Sequence, residues 1–428
     1  MDRITVGIIG FGTVGTGVAK ILLQGEKELE NRAGLPVKLK YIADLDTTTD
    51  RGIKLPEGML IPDANKLIED PDVNTVVEVI GGENPAQTFI KKALSLGKNV
   101  VTSNKEVIAK HFVEFTELAK ANNCTILYEA AVGGGIPVLH AVRNSLAANR
   151  IEKVFGIVNG TTNYILSKMT SSGADFAATL KEAQKLGYAE ADPKNDVEGF
   201  DVAYKLAILA SLAFRCHVDY KEIYREGITK ITAKDIADAR KFGYTIKMAA
   251  IGINHGDSVE LRVHPVMVEN SHPLSSVNDV FNAIYIRGNS LGDSMLYGRG
   301  AGELPTASAV AGDIMNLAFR AKEGFQKDTD FNLKEIKILP REKCVTSFFI
   351  SCLVNDESGV LAALASILSQ KGVSIRSMQQ VSAENNCAAI TCITHPVEEG
   401  KMDNAIAEIK ELPNVREISS IIRVGLGQ

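Results

Sequence analysis

The chain has 428 residues, enough for about two to four domains, and its 45% apolar and 23% charged residues describe an ordinary globular protein. Lys and Arg number 47 against 52 Asp and Glu, a net charge of −5, which removes any electrostatic case for nucleic acid or an anionic membrane as a partner. The six cysteines are scattered with no C-x-x-C pair, the first residues read as a strand rather than a signal peptide, and no apolar run approaches the ~20 residues of a membrane span, so a cytoplasmic protein with reduced thiols is expected.

Residues 4–10 are a short β-branched run, the pattern of a strand buried in a parallel sheet. The run opens into Gly10-Phe11-Gly12-Thr13-Val14-Gly15 and then a helix over 14–30. G-x-G-x-x-G between a strand and a helix suits a dinucleotide. Its glycines permit a tight turn, let a pyrophosphate approach backbone N–H groups, and let helix and strand pack closely. A second strand over 37–43 ends at Asp44. An acid there accepts from the adenosine ribose hydroxyls and leans the chain toward NAD. Asp44 lies further past the glycines than the usual ~20 residues, and a long first helix and loop explain the excess. Arg51 and Lys54 follow and suit a 2′-phosphate, so NADP stays open.

A strand over 73–80 ends in Gly81-Gly82, a helix spans 85–96, and a strand over 99–102 runs into Ser103-Asn104-Lys105. Ligands of doubly wound sheets sit at the carboxyl ends of strands. Lys105 therefore stands where the nicotinamide end belongs, although a lysine capping a loop is the plainer alternative. A helix over 110–121 and a strand over 125–129 lead to Glu129-Ala130-Ala131-Val132-Gly133-Gly134-Gly135-Ile136-Pro137. Three successive glycines expose backbone carbonyls. With one carboxylate, these suit a hard monovalent or alkaline-earth cation; a flexible crossover between domains is the plainer reading.

From residue 151 the pattern changes. A strand over 153–160 reaches Asn159-Gly160-Thr161-Thr162-Asn163, a turn opening a helix over 164–169. Residues 199–214 form a helix that is apolar on nearly every side, with only Asp201 and Lys205 charged. They stand at i and i+4 on one face. A buried Asp and Lys cost several kcal/mol, roughly, unless paired and hydrogen-bonded. Glu190, Asp192 and Asp196 lie just upstream, in a segment broken by Gly187 and Pro193. An ordinary buried ion pair beside a solvated acidic loop would read the same way. A helix around 234–242 and strands over 245–253, 259–268 and 282–286 make this a strand-rich α+β block. Residues 297–306 form a second glycine-rich loop, opening a long helix over 306–321 that should return to the first domain. Residues 323–343 read as a charged linker. Beyond it, strand, helix, two strands, helix and strand over 345–424 complete a βαββαβ arrangement.

With these pieces placed, the chain resembles homoserine dehydrogenase of the monofunctional bacterial type with a C-terminal ACT domain. The resemblance covers nearly the whole chain. It is most specific from Gly187 through Lys205, and extends to the N-terminal fingerprint, Thr102-Ser103-Asn104-Lys105, the 129–137 run, Gly160-Thr161-Thr162-Asn163 and the 298–306 loop. It implies an α/β fold: a Rossmann-like doubly wound sheet (1–130 with 306–325), an α+β substrate and dimerisation domain (131–305), a linker (326–344) and a ferredoxin-like ACT domain (345–428).

The family interconverts L-aspartate 4-semialdehyde and L-homoserine with NAD(P)H, on the route to threonine and methionine. The resemblance makes Lys205 the catalytic acid/base, with Asp201 beside it, and Lys105 a lysine that contacts both cofactor and substrate. Glu190, Asp196, Asp201, Tyr188, Gly160 and Thr161 become substrate-binding positions. Gly10, Phe11, Gly12, Thr13, Val14, Gly15, Asp44, Ser103, Gly187, Glu190 and Gly302 become cofactor positions. Glu129, Val132, Gly134 and Ile136 match the family's sodium site, three of them through backbone carbonyls. Within the C-terminal domain Asn355, Asp356, Gly359 and Val360 are the regulatory positions, with threonine the expected inhibitor, and the oligomer is expected to be a homodimer or homotetramer. Asp44 departs from the basic residue of NADP-preferring relatives.

The chemistry fits the residues independently. Reducing an aldehyde needs a hydride donor and a proton for the developing alkoxide, which a lysine in a partly dry site can give and take. A second lysine, Lys105, would stabilise charge on the carbonyl oxygen, and the substrate's own ammonium calls for carboxylates. An aspartate-semialdehyde dehydrogenase would need a nucleophilic cysteine in an active-site loop; neither Cys124 nor Cys216 sits in one. A sensor that kept the nucleotide and ACT parts but lost catalysis would have no use for Asp201 and Lys205.

Overall fold

The strand Ile4–Ile9 is buried along its whole length, as a β-branched run with a neighbour on each edge and a layer on each face must be. In the computed structural model, which describes residues 2–323, 333–383 and 385–427, it pairs in parallel with Val37–Ala43 on one edge and Thr75–Glu78 on the other. Leu60–Ile61, Asn99–Thr102 and Ile126–Leu127 complete six parallel strands. Numbered along the chain, their order is 3-2-1-4-5-6. The winding reverses at the first strand, and such a reversal opens a crevice beyond the strands' carboxyl ends.

The long first helix expected over 14–30 is two helices, Thr13–Gln24 and Glu26–Ala33. Gly25 divides them, its N–H donating to the Ile21 carbonyl. The first helix is apolar and buried on one side, while the second is charged and mostly exposed, so no single apolar stripe runs through both. Leu60–Ile61 and Ala64–Glu69 had no counterpart in the sequence reading, being too short for a periodicity to register. The helix expected over 306–321 begins three residues earlier, as Glu303–Glu323. Its Val310, Ile314 and Leu317 join Val18 and Leu22 of the first helix in one apolar cluster under the sheet. A methyl group on Gly17 would stand 2.8 Å from the Ala307 Cβ, so the two helices approach closely only because that residue is glycine.

Contacts divide the chain into two units: residues 1–151, 203–222 and 281–335, and residues 152–202, 223–280 and 336–428. The first holds the parallel sheet and an antiparallel hairpin, Phe281–Gly288 with Gly292–Arg299. The second strand of that hairpin replaces the beginning of the glycine loop expected from residue 297.

The second unit is built on two long antiparallel strands, Tyr244–Asn254 and Ser258–Glu269. Residues 153–156 add to the first of them. The last strand, Val415–Val424, pairs in parallel with Ser258–Glu269 at Val266 and Met267, and antiparallel with Val345–Asn355. Cys387–Thr394 and Ile375–Ala383 follow in that sheet. Helices Val360–Gln370 and Glu399–Lys410 cover one face through Leu364, Ile367, Met402 and Ile406. The expected βαββαβ arrangement is therefore present, in spatial order last-first-third-second. Of the expected linker 326–344, residues 326–332 lie outside the described residues; Lys337–Ile338 pairs with Ser258 and Val259. All six cysteines are buried and unbridged. Among the described residues no helix is long and apolar enough to cross a membrane.

Candidate active site

The glycine turn sits at the winding reversal. Gly10 takes φ +103°, and a Cβ on Gly15 would stand 2.0 Å from the Gly10 carbonyl oxygen, so both positions require glycine. A Cβ on Gly12 would meet no atom within 4 Å: the turn faces open space there, at the N-terminus of Thr13–Gln24. Exposed N–H groups and the helix dipole suit a pyrophosphate at that place. Asp44 reaches back to the turn, one oxygen accepting from the Phe11 N–H at 2.5 Å and the other from the Asp46 N–H at 2.9 Å. The Arg51 guanidinium lies over the Phe11 ring at 4.9 Å and within 3.8 Å of Asp44 and 3.3 Å of Asp46. An acid and a base thus flank the same turn. Lys54 is exposed.

Lys105 does follow the strand Asn99–Thr102, as expected, but it does not cap a loop, the alternative reading. It is the first residue of the helix Lys105–Ala121, which begins five residues before the expected start. The cause is Asn104, whose side chain caps the Val107 N–H and donates to the Gly82 carbonyl. Asn104 N–H donates to Thr102 Oγ1, and Thr102 donates to the fully buried Glu78. Burial raises the Glu78 pKa, which those hydrogen bonds oppose. The Thr102-Ser103-Asn104-Lys105 turn is thereby pinned to the loop after Thr75–Glu78. Half-buried Ser103 and Lys105 are held at the carboxyl edge of the sheet.

Lys205 lies on Phe200–Phe214 and is 9% exposed. Its neighbour Tyr204 stacks on Tyr220 at 4.8 Å and faces Lys110 Nζ at 6.0 Å, so this segment rests against the helix that Lys105 begins. The 297–306 loop contributes Gly302, exposed, with φ +122°.

In the second unit Asn159 caps the helix Gly160–Ser172. Its oxygen accepts from the N–H and hydroxyl of Thr162, and its nitrogen donates to Asp196 at 2.7 Å and to Asp201 at 2.8 Å. Asp201 is buried and Asp196 half-buried. Thr161 donates to the Tyr188 carbonyl at 2.6 Å, and the Tyr188 ring packs on Tyr164. Asp196, Asp201, Gly160, Thr161 and Tyr188 are therefore brought together around one helix start. Gly187 and Glu190 flank Tyr188 on the same exposed segment, where Gln184 donates to the Glu190 carbonyl. Asn159 was absent from the expected site residues. Its signal was present, an Asn directly before Gly-Thr-Thr, but the capping role that spacing suggests conceals the second use of its amide.

A homoserine dehydrogenase NAD-binding-domain model matches residues 10–129, a homoserine dehydrogenase model matches 137–315, and an ACT-domain model matches 348–414. Homoserine dehydrogenase of Synechocystis sp. is 41% identical across 98% of this chain and 99% of that protein. The chain belongs to the homoserine dehydrogenase family. The crystal structure of a homoserine dehydrogenase from Thiobacillus denitrificans superimposes with a TM-score of 0.94 at 37% identity, covering 99% of each chain. A hyperthermophilic archaeal homoserine dehydrogenase mutant in complex with NADPH superimposes with a TM-score of 0.62 at 29% identity, over 76% of this chain and 98% of that one.

As a homoserine dehydrogenase the chain is an NAD(P)-dependent oxidoreductase that interconverts L-aspartate 4-semialdehyde and L-homoserine, with a C-terminal ACT regulatory domain. In that domain Asn355 ends a strand and accepts from Arg416 at 2.7 Å, and Asp356 accepts from Gln380 and Ser382 of the edge strand. Gly359, at φ +92°, and buried Val360 open the helix Val360–Gln370. The positions expected to hold sodium, Glu129, Val132, Gly134 and Ile136, fall within one short stretch of chain. Glu129 is buried, its two oxygens accepting from the N–H groups of Leu139 and His140. Burial pushes its pKa up to about 7. The Ile136 carbonyl accepts from the Val138 N–H, and Gly134 lies so close to the Gly300 carbonyl that a Cβ would stand 2.3 Å away. Both Glu129 oxygens are turned to backbone N–H groups, and a hard monovalent cation near them would offset the burial of the charge.

Proposed function

We propose that Lys205 is the acid/base of this homoserine dehydrogenase, exchanging a proton with the substrate oxygen as the carbonyl and alcohol interconvert. The observation that supports this is the burial of a lysine at 9% exposure on an otherwise oily helix, a placement that costs several kcal/mol, roughly, without a compensating role. Bound NAD(P) supplies or accepts the hydride. Asp201, one turn earlier on the same helix, holds the Lys205 ammonium in place. Lys105, cationic and at a helix N-terminus, stabilises negative charge developing on the carbonyl oxygen. Glu190 and Asp196 receive the substrate ammonium, with Asp201, Tyr188, Gly160 and Thr161 completing the substrate's contacts.

Gly10, Phe11, Gly12, Thr13, Val14 and Gly15 cradle the pyrophosphate, with Ser103, Lys105, Gly187, Glu190 and Gly302 contacting the rest of the cofactor. Asp44 favours NAD, since a carboxylate accepts from ribose hydroxyls and repels a 2′-phosphate. Glu129, Val132, Gly134 and Ile136 hold sodium. Threonine acts on the ACT domain at Asn355, Asp356, Gly359 and Val360. The functional parts are residues 1–130 with 306–325, 131–305 and 345–428, in a cytoplasmic homodimer or homotetramer.

The test is homoserine-dependent reduction of NAD and of NADP in the parent and in Lys205→Ala. Loss of a general acid/base lowers turnover by about 100-fold or more, while cofactor affinity, read by fluorescence titration, stays unchanged. Near-parental turnover in that variant would remove Lys205 from the role.

A further inference from the structure

We propose that Glu78 is a positioning residue whose buried carboxylate fixes where the helix Lys105–Ala121 begins, and so sets the place of the Lys105 ammonium. The inference rests on the reading above of Lys105 as the cation that acts on the carbonyl oxygen.

Glu78 is the last residue of a central strand. Ile9, the residue before the glycine turn, pairs with it on one side, and Thr102 on the other. Its side chain is wholly out of water. An acid there is costly unless it is hydrogen-bonded, and packing alone would be served by valine or leucine. Oε1 accepts from the Ile80 N–H at 2.8 Å, and Oε2 accepts from the Thr102 hydroxyl at 2.7 Å. Burial pushes the group toward its neutral form; these two donors, the Gly81 N–H and the Asn104 amide all oppose it.

The hydrogen bonds run in one direction. Thr102 Oγ1 accepts from the Asn104 N–H at 3.0 Å and gives its own hydrogen to Glu78. The Asn104 side chain then does two things. Its oxygen accepts from the Val107 N–H at 3.2 Å, and its nitrogen donates to the Gly82 carbonyl at 2.7 Å. Glu78 thereby ties the loop after its own strand to the turn after the neighbouring strand, and the capped helix starts at Lys105. Two donors need two acceptor oxygens, which a carboxylate has. A glutamine has one, and would turn an NH₂ group toward either the Ile80 N–H or the Thr102 hydroxyl.

The other side of that loop is held without the Glu78 side chain. The Val79 N–H donates to the Ile9 carbonyl at 2.9 Å, and a Cβ on Gly10 would stand 3.0 Å from the Val79 carbonyl oxygen. Both are backbone contacts, so a change in the Glu78 side chain displaces the Lys105 turn and leaves the glycine turn in place.

The experiment measures kcat for homoserine oxidation in the full-length enzyme carrying Glu78→Gln, Thr102→Val, Thr102→Ser, Lys105→Ala, or Glu78→Gln with Lys105→Ala. Displacing an acting group by about 1 Å costs up to about 100-fold, so Glu78→Gln and Thr102→Val should each lose about tenfold or more. Thr102→Ser keeps the hydroxyl and should stay within about threefold of the parent. Lys105→Ala should lose more than either, and adding Glu78→Gln to it should remove less than about twofold further, because the two act as one unit. A kcat within about twofold of the parent in Glu78→Gln or Thr102→Val, beside a large loss in Lys105→Ala, overturns the positioning role and leaves the reading of Lys105 intact. A further loss of about tenfold in the double variant, or a Thr102→Ser enzyme as impaired as Thr102→Val, marks general loosening and also overturns it. Near-parental turnover in Lys105→Ala overturns the reading of Lys105 and the positioning role with it.

Discussion

Arg262 and Glu399 hold each other at 3.0 Å with both side chains out of water. Arg262 stands on the long strand Ser258–Glu269, and Glu399 begins the last helix of the ACT domain. The same carboxylate also accepts two hydrogen bonds from Arg423 and one from Arg341. The Tyr224 ring lies against both of those guanidiniums, at 4.9 and 5.3 Å. Glu260 approaches Arg262 to 2.5 Å, though not in hydrogen-bond alignment. One buried acid therefore organises three arginines between the ACT domain and the strand beside it.

Removing that acid leaves buried cations facing one another. Glu399→Ala should lower the free energy of unfolding by about 3–5 kcal/mol, the usual cost of breaking a buried ion pair from one side. Denaturant titration measures it. A loss below about 1 kcal/mol, the worth of an exposed pair, would mean the cluster is solvated in solution.

His264 gives the same region a pH dependence. Its Nδ1 lies 2.9 Å from the Pro265 carbonyl and its Nε2 3.3 Å from Arg262. Burial, then Arg423 and Arg262, hold its pKa well below the ordinary histidine value. The unfolded chain takes up a proton there below pH ~6.5 while the native chain does not, so unfolding gains stability relative to folding as pH falls. This one group should steepen the acid-side loss by up to about 1.4 kcal/mol per pH unit. His264→Asn should flatten the slope between pH 7 and pH 5. An identical slope in that variant would assign the acid sensitivity to other groups.

The glycine turn sets a steric limit on the cofactor site. Gly15→Ala would drive a methyl group to 2.0 Å from the Gly10 carbonyl oxygen, and the turn must open to admit it. The KM for NAD(P) should rise about tenfold or more, with the homoserine KM little changed. Steady-state kinetics at saturating homoserine would show it; an unchanged cofactor KM would mean the turn does not contact the cofactor.

Asp44 and Arg51 oppose each other at that turn. On the proposed reading of Asp44 as the anion that disfavours a 2′-phosphate, Asp44→Ala removes it and leaves Arg51 in place. The ratio of kcat/KM for NAD over NADP should fall about tenfold. A ratio that stays where it is would take Asp44 out of cofactor selection.

The parallel sheet and the βαββαβ domain were legible because buried strands are apolar runs punctuated by glycine, and helices of ordinary length carry a period. Elements of two residues, such as Leu60–Ile61 and Lys337–Ile338, carry none. The break at Gly25 was hidden because a glycine is tolerated within many helices. Lys105 was placed just past the right strand end, but its helix was expected to start only at residue 110, since the cap that starts it depends on Asn104 reaching Thr102 and Gly82 across the sheet edge.

The sequence by itself determined which groups stand out: the glycine turn between strand and helix, the lone charged pair on an oily helix, which is buried, and the acids just ahead of it, of which Asp196 is half-buried and Glu190 and Asp192 exposed. Each follows from local spacing, and local spacing is written in the chain. Only the tertiary structure decided how those groups are held. Asn159 reaches two carboxylates 37 and 42 residues away, and Glu399 reaches an arginine 137 residues away. Partners at such separations are chosen by the packing of whole sheets and helices, which no window of neighbouring residues contains.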